Sequence, residues 1–75
     1  MNGRFVEPLL NQPITELDFS QEFKGVTELL GFFTLADLLE HHTAHLEKMP
    51  GFSQHLIYEF VDFLESRRMG HYIDP

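Results

Sequence analysis

Between Ser53 and Arg68, apolar residues fall at Leu56, Ile57, Phe60, Val61, Phe63 and Leu64. At 100° per residue they span an arc of about 160°, wider than a single helical seam demands. Such a helix needs deep burial or a second contact surface, and the chain has only 75 residues with which to provide cover. At this length one core only just outweighs chain entropy, so a single small domain is expected and a second one excluded. Eight Phe partly compensate for small size, because each ring buries a large area.

The same helical spacing recurs upstream. Phe19, Phe23, Val26 and Leu30 form a stripe spaced four, three and four. Ser20 is placed to cap a helix from about Gln21 to Leu30, with Glu22 favouring its positive start and Gly31 able to end it. Thr34 and Asp37 make a capping-box-like start for a second helix with Leu35, Leu38 and Leu39 facing inward. Thr43 is expected to cap a short third helix carrying Leu46 and Met49 and closed by Pro50. Ser53 is expected to cap the last helix, about Gln54 to Arg67, whose end is complemented by Arg67 and Arg68. Pro13 and the run Thr15-Glu16-Leu17-Asp18 predict one helical turn or bend. Residues 1–12 contain Gly3 and Pro8 and no apolar period, which predicts an arm; 71–75 read as a tail, leaving 13–70 as the folded domain. No strand-length alternation or repeat is present, so the fold class is all-α.

Composition narrows function. Twelve acidic residues against five Lys and Arg give a net charge of −7, and protonating all five His brings it only to −2. This opposes nonspecific attraction to nucleic acid or anionic lipid. With no cysteine, disulfides, thiolate metal sites and a Cys nucleophile are ruled out. No run approaches the roughly 20 apolar residues that cross a bilayer, and the start lacks a signal-peptide layout. A cytoplasmic monomer without membrane contact is expected. No nucleophile–base pair, carboxylate pair in an apolar cleft or Gly-rich phosphate loop stands out, so the expectation is a protein that is not an enzyme and needs no cofactor. His41, His42 and His45 have helical metal-ligand spacing, but Thr43 as an N-cap is expected to break the geometry between His41 and His45, leaving no metal site.

From Glu7 to about Met69 the chain resembles, without a gap, the C-terminal domain of the bacterial RNA polymerase alpha subunit. The resemblance rests on Glu7-Pro8-Leu9-Leu10, Pro13-Ile14, Glu16-Leu17-Asp18-Phe19-Ser20, Leu35, Asp37-Leu38-Leu39, Leu46, Lys48, Pro50, Phe52, Ile57, Phe60, Leu64 and Ser66-Arg67. It implies a compact four-helix domain with a helix-hairpin-helix-like element, preceded by a non-standard turn and an extended arm. In that family the domain contacts the minor groove of A/T-rich DNA and touches activators and sigma factor. The family's DNA-contacting Arg and Asn on the first helix correspond to Glu22 and Gly25, and a supporting basic residue there corresponds to Glu28. Its hairpin Gly, Lys and Ser correspond to Ser53, His55 and Leu56 beside Phe52.

A cation about 4 Å from a phosphate gains roughly 1 kcal/mol in water and about 4 kcal/mol at an effective dielectric of 20, and reversing its sign turns the gain into a comparable penalty. The family's DNA pose is therefore expected to be repelled. The expected function is a non-enzymatic protein-interaction module associated with transcription machinery, using Glu22, Gly25, Glu28, Phe52, Ser53, His55 and Leu56. Glu16 and Asp18 match acidic positions that face sigma factor in the family. The alternatives are a DNA-binding module using Lys48, Arg67 and Arg68, or an acidic decoy for a nucleic-acid site.

Overall fold

The computed structural model describes residues 7–74, so the first six residues of the expected arm and the last of the expected tail lie outside the described part. The described residues form four α-helices and short 3₁₀ turns and no strand, which makes the fold all-α. The chain divides into two compact units, with the boundary between Glu40 and His41.

In the first unit, α1 spans Gln21–Leu30. Its start is fixed by Ser20, whose Oγ accepts from Phe23 N at 3.1 Å. Its end is a Schellman motif in which Phe32 N donates to Thr27 O and Gly31 N to Glu28 O. That closure requires a left-handed residue, and Gly31 supplies it at φ 84°. Phe19 and Phe23 bury stacked rings 4.1 Å apart. Thr27 is buried without cost to its hydroxyl, which donates to Phe23 O at 3.0 Å.

Helix α2, Leu35–Leu39, begins with a complete capping box: Asp37 N donates to Thr34 Oγ1, and Asp37 Oδ2 accepts from Thr34 N. Leu35 and Leu38 are buried, while Leu39 is half-buried. The expected extended arm is corrected here. Pro8–Asn11 is a 3₁₀ turn that packs on α2, with Leu10 fully buried. Pro at the start suits such a turn because its missing N–H would be unpaired there anyway. A second 3₁₀ turn, Ile14–Glu16, is tied to the α1–α2 connection by Ile14 N donating to Phe33 O at 2.8 Å.

In the second unit, α3 spans Thr43–Leu46 and α4 spans Gln54–Ser66. Between them Phe52 N donates to Met49 O at 3.1 Å, closing a turn with Pro50 and Gly51 at its centre. Gly51 has φ 82°, as a type II turn requires at that place. Leu46, Phe52, Leu56, Ile57, Phe60, Phe63 and Leu64 are buried, so the apolar arc of α4 is core except at its edge, where Val61 is half-buried. Past α4, Met69 N donates to Leu64 O and Arg68 N to Glu65 O, a second Schellman closure, here with Arg68 rather than glycine at φ 60°. The expected tail begins inside a 3₁₀ turn, Gly70–Tyr72, that packs on α4.

Candidate functional site

On α1 the expected face forms on the solvent side. Glu22, Gly25 and Glu28 are all exposed, at positions where helical spacing of three aligns them. Gly25 leaves open space, since a Cβ there would meet nothing within 4 Å. Leu29, one turn beyond Gly25, is 88% exposed, and Phe33 is 66% exposed. Neither belonged to the expected site. The wheel carried a signal for Leu29, which falls among Glu22, Gly25 and Glu28 and away from the Phe23, Val26 and Leu30 stripe.

Phe33 has the more unusual setting. Its N–H donates to Asp37 Oδ2 at 2.9 Å and its carbonyl accepts from Ile14 N, so the backbone is held on both sides while the ring projects outward. The carboxylate that closes the α2 capping box therefore also holds the backbone of an exposed aromatic residue. Beside the ring lies a cleft of ≈ 80 Å³ lined in part by Ile14, Lys24, Thr27, Glu28, Phe32 and Phe33. Glu16 and Asp18 are exposed in the same unit, Glu16 within the Ile14–Glu16 turn.

In the second unit the expected site needs correction. Leu56 is fully buried and Phe52 nearly so, and both belong to the core rather than to a contact surface. The family-derived alignment places Leu56 at a polar position; here its side chain has turned inward. Ser53 and His55 are exposed, but the Ser53 hydroxyl makes no cap bond to α4 and lies 3.0 Å from His55 Nδ1. The helix start is served instead by the Ser53 carbonyl, which accepts from Leu56 N and Ile57 N. Along the outer side of α4 runs an open acidic groove lined by His55, Tyr58, Glu59, Val61, Asp62 and Glu65.

Of the basic residues considered for DNA contact, Arg67 has a local role. Arg67 lays its guanidinium 3.8 Å from the centre of the Phe63 ring and donates to Phe63 O and Ser66 Oγ, so it closes the α4 C-terminus. Arg68 and Lys48 are exposed.

The histidine geometry also departs from expectation. The N-cap of α3 is His42 rather than Thr43, and this one-residue displacement leaves His41 and His45 together, with Nδ1 atoms 3.3 Å apart and rings edge to face. Thr43 does not separate them. At the same helix start, Asp74 Oδ1 accepts from Thr43 N at 2.8 Å and Asp74 Oδ2 from Thr43 Oγ1 at 2.7 Å, with His42 Nδ1 3.4 Å away. The two Thr43 bonds, side chain first, and the nearby His42 hold the Asp74 carboxyl below its ordinary value, against a small opposing effect of burial. Among the described residues no group of three or more His, Asp or Glu side chains is placed to hold a metal ion, and no helix is long and apolar enough to cross a membrane.

No family model, no curated protein and no solved structure matches this chain.

Proposed function

We propose that this protein is a non-enzymatic protein-interaction module whose contact face is the outer side of α1 with Leu29 and Phe33, and whose partner offers a basic amphipathic segment. The carrying observation is Phe33: an exposed ring on a backbone bonded at both its N–H and its carbonyl. A backbone held before contact has less freedom to lose on binding than a loose loop, which favours the residue it carries as an interface anchor. Covering Leu29 and Phe33 would contribute roughly 1.5–3 kcal/mol each before the costs of association. Glu22 and Glu28 on this face outweigh Lys24, which lines the cleft, and with a chain net charge of −7 the balance favours a basic partner. The ≈ 80 Å³ cleft beside Phe33 suits one small apolar side chain.

Transcription is the proposed setting, supported by the shared register with the polymerase alpha C-terminal domain; fold alone does not fix function. The same register puts carboxylates where that family presents cations, which supports protein rather than DNA as the ligand.

Anisotropy titrations with two probes test the reading: a labelled Lys- and Leu-rich amphipathic peptide and a labelled A/T-rich duplex, both at low salt. Saturable peptide binding that is lost in Phe33→Ala, with no saturable duplex binding, is the expected result. Duplex binding that weakens steeply with salt and vanishes in Arg67→Gln/Arg68→Gln would replace this reading with the DNA-binding one.

A further inference from the structure

We propose that His41 and His45 form a two-histidine site for a divalent transition metal, with Zn(II) the ion whose geometry the pair fits. His41 lies just before the α3 N-cap and His45 is the third residue of the helix, and their Nδ1 atoms stand 3.3 Å apart. Two nitrogens bound to zinc at 2.0–2.1 Å and subtending a tetrahedral angle are about 3.3–3.4 Å apart, whereas the right angle of a square-planar ion brings them to about 2.8–3.0 Å. The observed hydrogen-bonded separation is close to the tetrahedral one, so an ion can take the place of the shared proton with little movement of either ring. The rings are edge to face, with centres 5.0 Å apart, so the second nitrogen is not blocked by stacking against the first.

As the structure stands the two Nδ1 atoms share one hydrogen bond, so one of them carries the proton; a bound ion replaces that hydrogen bond, taking the Nδ1 lone pair of both rings and leaving the proton of each neutral imidazole on Nε2. His45 is exposed and His41 half-buried, so water has access to complete a four-coordinate shell. No third carboxylate or imidazole joins the pair among the described residues, which makes this an open, exchangeable site rather than a closed structural one. The net charge of −7 favours accumulation of a dication at the surface.

Calorimetric titration of the full chain with zinc chloride, in a non-chelating buffer near neutral pH, tests the proposal. The expected result is saturable binding of one ion per chain, weakened at least about tenfold in His41→Ala and in His45→Ala and unchanged in His55→Ala. Imidazole ¹⁵N spectra supply a second readout that a merely structural effect would not give: the Nδ1 signals of His41 and His45 should move to metal-bound positions and the others stay. Unmoved Nδ1 signals, no saturable binding, or equal affinity in His41→Ala/His45→Ala would overturn it.

Discussion

Leu56, at a polar position of the resembled family, is fully buried; Phe33, in a short aromatic run, is 66% exposed. Leu56→Glu would place a carboxylate in the core, and chemical denaturation should show a loss above about 3 kcal/mol. Phe33→Ala removes an exposed ring and should leave stability within about 0.5 kcal/mol while abolishing peptide binding. A large loss of stability in Phe33→Ala would mean that the ring is structural. The difference was only partly legible. Apolar identity says nothing of exposure by itself, and Phe33 lies outside any helix, where no wheel applies. Leu29 was legible in principle from its place among Glu22, Gly25 and Glu28, because inside a helix periodicity assigns a face.

At the scale of elements, local chemistry was readable wherever a boundary is set by neighbours in sequence. The Ser20 cap, the Gly31 ending and the Thr34–Asp37 box all form, and α1 has the expected limits. Boundaries set by distant groups were not readable. Asp74 reaches the α3 start across 31 positions, and no pattern in the sequence links it to Thr43. The Pro8–Asn11 turn was also missed, since one buried leucine makes no period. Two backbone substitutions follow. Gly25→Ala, in an exposed helix interior with open space around the new methyl, should stabilise by about 0.5–1 kcal/mol. Arg68→Gly should relieve the left-handed strain at φ 60° and stabilise by about 0.5–1 kcal/mol, read as a higher denaturation midpoint.

The Asp74 contact carries a pH dependence of definite sign. Its carboxyl has a lower pKa folded than unfolded, so its contribution is fully present above the ordinary value of 3.8 and is lost as pH falls through the depressed folded value. Thr43 and His42 are the groups that the structure places against it. Asp74→Asn should therefore lower the melting temperature at neutral pH and converge with the parent in strong acid. Thr43 amide exchange should quicken in the variant at neutral pH. A melting difference that persists unchanged in acid would show that the carboxylate charge is not what the contact uses.

For the whole molecule, charge sets what can approach. With −7 overall and carboxylates on the outer side of α1, the proposed face would favour a cationic partner over a phosphate backbone. The all-α fold was legible because its caps and stripes are local, whereas the proposed contact face was legible only in its acidic half. Amide chemical-shift mapping with the basic amphipathic peptide at physiological ionic strength addresses the central claim most directly. The account predicts saturable shifts at Gly25, Glu28, Leu29 and Phe33, with Lys48, Arg67 and Arg68 unmoved. Shifts absent from those four residues, or produced there equally by an A/T-rich duplex, would contradict it.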